Sequence, residues 1–128
     1  MIKFYNPSGM GAPASRYSHG AEAGAGARWL HISGQVGVNP DGSIAKGIEA
    51  QTERAFRNIE TILQAAGMGF DDVVKINSFL LTRDHVPVLR TVRDRLFTRT
   101  APASTLIMVA QLAHPDWMVE IEAIAAKG

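Results

Sequence analysis

Apolar and polar residues alternate from Trp29 to Val38. Leu30, Ile32, Val36 and Val38 fall on one side, with Gly34 among them, and Trp29, His31, Ser33 and Gln35 fall on the other. A period of two predicts a strand. Asn39-Pro40-Asp41-Gly42 then reads as a turn, because Pro presets its φ and Gly tolerates a positive one. From about Glu49 to Ala66 the period becomes helical: Phe56, Ile59, Leu63 and Ala66 recur at steps of three and four, and Ala55 and Ile62 widen the stripe. Gln51, Glu53, Arg54, Arg57 and Glu60 lie mostly off it, and Gly67 suits the position just past the helix end. Val73 to Leu81 predicts a second strand, apolar on both faces. Asp84 is placed to cap a second helix, with Pro87 in its first turn, where a missing N–H costs little. Leu89, Val92 and Leu96 form its inner stripe; Arg90, Arg93 and Asp94 lie largely outside. Strands at about Ser104 to Ala110 and Met118 to Ala126 flank a turn at Ala113-His114-Pro115-Asp116. Short strands are expected around Phe4 and Tyr17, on either side of a Gly-, Pro- and Ser-rich loop over residues 6–16.

The order β-α-β-α-β-β predicts an α+β fold, a mixed sheet with two helices on one face. The two-sided strand 73–81 requires cover on the far face as well, and no helix remains to give it. A second copy of the chain is the simplest cover, so a closed homo-oligomer is expected. No repeat or linker divides the chain, which predicts a single domain over residues 1–128. Thirteen basic and twelve acidic side chains leave a net charge of +1, with no long-range pull toward nucleic acid or a membrane. There is no cysteine, hence no disulfide or thiolate chemistry. No signal peptide is read at Met1, and no apolar stretch approaches the ~18 residues of a membrane helix, so a cytoplasmic protein is expected.

Candidate chemistry is sparse. Glu120 and Glu122, two apart on a strand, project to one face. A general base needs such a carboxylate in a partly dry cleft. Tyr17 and His19 alternate onto one side of their short strand. His19, His31 and His114 are scattered, so no metal site is expected. His31 beside Ser33 lacks an acidic orienter and reads as a packed histidine. No phosphate-binding glycine pattern occurs, and no cofactor is expected. Arg90, Arg93, Arg95 and Arg99 are interleaved with Asp94 and lack neighbouring aromatics, which favours a solvated helix face over an RNA surface.

Several segments together are similar to one family. Ile32-Ser33-Gly34-Gln35-Val36-Gly37, Gln51-Thr52 leading to Ala65-Ala66-Gly67, Asp71-Asp72-Val73-Val74-Lys75, Pro102-Ala103 and Val119-Glu120-Ile121-Glu122-Ala123-Ile124-Ala125 resemble the Rid family, also called YjgF or L-PSP, over nearly the whole chain. The resemblance implies a chorismate-mutase-like fold and a homotrimer with small-molecule clefts between subunits. It also implies cofactor-free hydrolysis of reactive enamines and imines, such as 2-aminoacrylate, to a 2-oxo acid and ammonia. Tyr17, Ser33 and Gly34 would line the cleft and Glu120 would orient the attacking water. The arginine that follows Pro-Ala in the archetype, and holds the substrate carboxylate, is Ser104 here. An asparagine of the second helix falls near Leu89 or Arg90.

Serine cannot make the bidentate contact of a guanidinium. Losing one partner of such a buried pair costs roughly 2–5 kcal/mol, or about thirty- to several-thousand-fold in kcat/KM. The expectation is therefore a Rid-like deaminase acting on a substrate other than small 2-imino acids, with Glu120 catalytic and Tyr17, Ser33, Gly34, Ser104, Thr105 and Leu106 binding the ligand. Arg90 and Arg16 are the cations to inspect as replacements, though each reads more simply as a solvated side chain. The alternative is a regulatory trimer that binds a metabolite without turnover; an RNA-binding or RNA-cleaving protein ranks third.

Overall fold

A computed structural model describes residues 1–128. Six strands and two helices run in the order β1 (Ile2–Tyr5), β2 (Gly20–Ala23), β3 (Arg28–Val36), α1 (Ile48–Ala65), β4 (Val73–Leu80), α2 (Val86–Leu96), β5 (Ala103–Met108) and β6 (Val119–Lys127). β3, β6, β4 and β5 form one sheet in that spatial order. β4 and β5 are parallel, joined through α2, and β6 is antiparallel to both its neighbours. β1 and β2 form a separate two-stranded ribbon. It is tied to the β5 edge through a bridge between Ser18 and Ala103.

α1 presents Ala55, Phe56, Ile59 and Leu63 to the sheet, and α2 presents Leu89 and Val92. They meet Ile76 and Leu80 of β4 and Val119, Ile121, Ala123 and Ala125 of β6 in one buried cluster. Both helices therefore cover the same face. Phe97, just past α2, closes the cluster with its ring 5.7 Å from Phe56 and 4.7 Å from Phe70. At the end of α1, Gly67 takes a φ of 70°. Its N–H donates to the Gln64 carbonyl at 3.0 Å and that of Met68 to the Leu63 carbonyl at 2.8 Å, a Schellman ending.

The structure corrects several details. The second short strand is Gly20–Ala23, and Tyr17 precedes it in coil. Gly-Ala-Glu-Ala carries no apolar alternation, and its strand state comes from pairing with Ile2–Tyr5. Thr82, not Asp84, supplies the capping side chain ahead of α2: its hydroxyl accepts from the Asp84 N–H at 3.3 Å and opens a 3-10 turn, Arg83–His85, that leads into the helix. Gln51, placed mostly off the inner stripe by its polarity, is 2% exposed. Its side chain donates to the carbonyls of Ala45 and Asp116 and accepts from the Met118 N–H at 2.8 Å, fastening α1 to the chain entering β6.

β3 does not alternate without interruption. Ile32 pairs with Ala123 and Gln35 with Ile121, so Ser33 and Gly34 together oppose Glu122. This bulge shifts the phase. Val36 comes to lie opposite Glu120 rather than facing the helices, and Gly37 takes the inward position against Gln51.

Candidate functional site

The cross-strand registers sort the candidate residues onto two faces. Val119, Ile121 and Ala123 face the helices, so Glu120 and Glu122 face away, alongside Phe79 and Asn77, their partners on β4. On β5, Ser104 and Leu106 pair with Ile76 and Ser78 and share the helix side, whereas Thr105 pairs with Asn77 and shares the far face. Within one protomer the sheet separates Glu120 from Ser104.

On the far face the two glutamates differ. Glu122 accepts a hydrogen bond from the Asn77 amide at 3.0 Å. The Glu120 carboxylate is partly buried and no protein donor reaches it. It lies over Gly34: a Cβ built there would fall 1.9 Å from Glu120 Oε2 and 2.8 Å from its Cδ. Gly34 thus provides the space in which the Glu120 side chain rests. Ser33, at the same bulge, lines a shallow cavity of about 250 Å³ with His31, Glu122 and Ile124. Thr105 accepts a hydrogen bond from Lys75 Nζ at 2.8 Å.

On the helix side, Tyr17, Ser104 and Leu106 line a second cavity, of about 190 Å³, together with Arg90 and Arg93. The segment around Tyr17 is held there by the Arg16 guanidinium, which donates to the Phe97 carbonyl, and by the Ser18 N–H, which donates to the Pro102 carbonyl at 3.3 Å. The Tyr17 ring meets His19 edge-on, centroids 5.8 Å apart.

The arginines of α2, with Arg99 of the coil after it, do not form one solvated face. Arg95 reaches Glu49 and Glu53 of α1, Arg99 reaches Asp71, and Arg93 is only 4% exposed. Arg93 escaped a reading based on polarity alone, although it lies next to Val92 of the inner stripe and three residues after Arg90. No three His, Asp or Glu side chains converge where they could hold a metal ion.

A mixed sheet bearing two helices on one face, with a ligand-sized cavity beside its edge strand, defines an α+β protein of the chorismate-mutase-like kind. The profile of the Endoribonuclease L-PSP family matches residues 10–127. The chain belongs to that family, also called Rid or YjgF. It is 36% identical over 117 residues to a RutC family protein of Pyrococcus horikoshii, covering 90% of each chain. It is 32% identical over 122 residues to the 2-iminobutanoate/2-iminopropanoate deaminase of Salmonella typhimurium, covering 91% of this chain and 92% of that one. A solved Rid family protein of Yersinia pestis superposes with a TM-score of 0.89 at 30% identity, over 98% of both chains. No helix is long and apolar enough to cross a membrane.

Proposed function

We propose that the chain hydrolyses the C=N bond of an imine, or of the enamine in equilibrium with it, releasing ammonia. Water adds to the carbon, the carbinolamine collapses, and the nitrogen leaves as ammonia with a carbonyl left behind. Glu120 orients the water, takes its proton and returns it to the nitrogen that leaves as ammonia. One observation carries the reading: Gly34 leaves room for a carboxylate that no protein donor occupies, while its neighbour Glu122 is engaged by Asn77. Relatives named 2-iminobutanoate/2-iminopropanoate deaminase support the reaction class. Ser104 offers no guanidinium, so the substrate proposed is other than the small 2-imino acids of those relatives. The reading also has the far face covered by further copies in a closed trimer, which would bring one copy's Glu120 toward another's helix-side cavity. The exposure of Trp29 and Ile107, 54% and 45%, favours such cover.

The test is ammonia release from imines generated in situ from a panel of amino acids. Glu120→Gln is expected to reduce turnover about 10²- to 10⁴-fold, and Ser104→Arg to raise it on 2-iminopropionate. Turnover that Glu120→Gln leaves intact would refute the assignment. Binding without turnover is the second reading, favoured by the sheet that separates Glu120 from the helix-side cavity within one protomer.

A further inference from the structure

We infer that residues 7–15 form a hinged strap, the movable wall of the helix-side cavity, and that His19 is the positioning residue whose ring latches it shut. β1 and β2 pair as a plain antiparallel ribbon, which about two to five residues suffice to connect, yet the chain spends residues 6–19 on the connection. Surface loops of this length are frequently functional. Few bonds hold this one. Asn6 Oδ1 accepts from the His19 N–H at 2.8 Å, which pins the start of the loop to its end. From Pro7 to Pro13 a single hydrogen bond reaches the rest of the protein: the His19 ring Nε2 lies 2.7 Å from the Gly11 carbonyl oxygen. A carbonyl oxygen can only accept, so Nε2 carries the ring proton. Residues 7–12 are exposed, and a Cβ on Gly9 or Gly11 would meet no atom within 4 Å. Packing therefore adds little to the latch.

The two ends of the strap are fixed by contrast. Upstream, Ile2–Tyr5 is laddered to Gly20–Ala23; downstream, Arg16 donates to the Phe97 carbonyl and the Ser18 hydroxyl to the Ala101 carbonyl. Between these anchors Ala14 and Ser15, with Tyr17 beside them, supply one wall of the cavity, and its other walls belong to α2 and β5. The Ala14 N–H reaches the Tyr17 hydroxyl only at 3.5 Å, so the inner edge of the strap is weakly held as well. Breaking the bond at Gly11 frees the strap to swing about Asn6 and Arg16 and opens the cavity without disturbing the core. The device does not rest on the deaminase reading, because any ligand of this cavity would pass it.

The test exploits the lack of native cysteine. Ser104→Cys places one thiol in the cavity, and its rate of reaction with an aromatic disulfide reports how often the strap opens. Gln64→Cys, exposed on α1, gives the unhindered rate. Each thiol is compared beside native His19, His19→Phe and His19→Gln. Phe keeps an aromatic ring against Tyr17 but has no N–H, Gln keeps a donor, and the backbone bond to Asn6 survives both. His19→Phe is expected to speed labelling of the cavity thiol about fivefold, the worth of one hydrogen bond. His19→Gln should restore a rate close to native, and Gln64→Cys should react equally in all three. Melting temperatures should stay within about 3 °C of one another. Equal labelling of the cavity thiol in all three would overturn the inference. So would equal acceleration by Phe and Gln, which would mark the imidazole as packing rather than a latch. A fall in melting temperature that accompanies the faster labelling would overturn it too, as general loosening. Faster labelling in His19→Phe alone, with no ammonia released from any imine, would uphold the strap and remove the deaminase reading. Indifferent labelling beside ammonia release that Glu120→Gln abolishes would do the reverse.

Discussion

Two glycines of β3 and its exit, three residues apart, should respond to the same substitution in opposite ways. A methyl group at Gly37 meets Cα, Cβ and Cγ of Gln51, each at 2.6 Å, about 0.8 Å inside the 3.4 Å at which ordinary contact begins. One of these atoms is helix backbone, so α1 has to retreat from the sheet. Such overpacking costs about 2–3 kcal/mol. The retreat also strains the bonds Gln51 makes to Ala45, Asp116 and Met118, each contributing about 1 kcal/mol. Taking ~2.1 cal/mol/K per residue for the entropy of unfolding, a loss of 3 kcal/mol lowers the melting temperature by roughly 10 °C. The three atoms nearest a methyl group at Gly34 all belong to the Glu120 side chain, which can swing aside. Gly34→Ala should therefore melt within about 3 °C of native while displacing the proposed water-orienting carboxylate. Calorimetry at one fixed protein concentration, paired with the ammonia assay, separates the two. Equal losses of stability would contradict the placement of these glycines. So would a Gly34→Ala protein with undiminished turnover.

Other expectations follow from the packing and the ion pairs. Leu63 is 0% exposed in the core, so Leu63→Ala should cost about 3–4 kcal/mol in urea titration; a loss below 1 kcal/mol would mean the cavity collapses freely. Arg95 joins Glu49 and Glu53 at 3.6 Å each, but its side chain is 51% exposed. Arg95→Ala should cost under about 1 kcal/mol, and the difference should vanish in roughly 1 M salt, where screening is strong; a larger, salt-insensitive loss would show that packing rather than charge holds the contact. Asn77→Ala removes the donor to Glu122 and should cost about 1 kcal/mol while ammonia release persists; a loss of turnover matching that of Glu120→Gln would refute the distinction between the two glutamates.

The elements themselves were legible wherever burial is periodic. The stripe Ala55, Phe56, Ile59 and Leu63 specifies α1, and Gly67 marks its end, because one apolar face against one sheet leaves a regular trace. What escaped was decided across the chain. β2 exists because Ile2–Tyr5 lies beside it, and four residues with two alanines and a glycine carry no sign of that. Gln51 stands four residues before Ala55 and eight before Ile59, on the inner stripe by spacing, and its polarity concealed its burial. The bulge depends on Gly34 making way for Glu120, a contact between strands 86 positions apart. Glu120 and Ser104 could be named from the resemblance, but their opposite faces emerge only from the registers of β4, β5 and β6. Arg93 is buried beside a cavity that Tyr17 also lines, a neighbour that helical periodicity never sees.

The extra residue at Ser33–Gly34 makes β3 two short strands laid end to end with reversed sidedness. Before it, even-numbered positions point inward; after it, odd-numbered ones do. Removing a single residue at this point would keep the hydrogen-bonded rungs available and yet turn one half inside out, sending Val36 toward α1 and Gly37 outward. What this stretch of chain must keep is its count of residues. Ser33 can change its chemistry at small cost, but an insertion or deletion beside it would exchange interior for surface along half a strand.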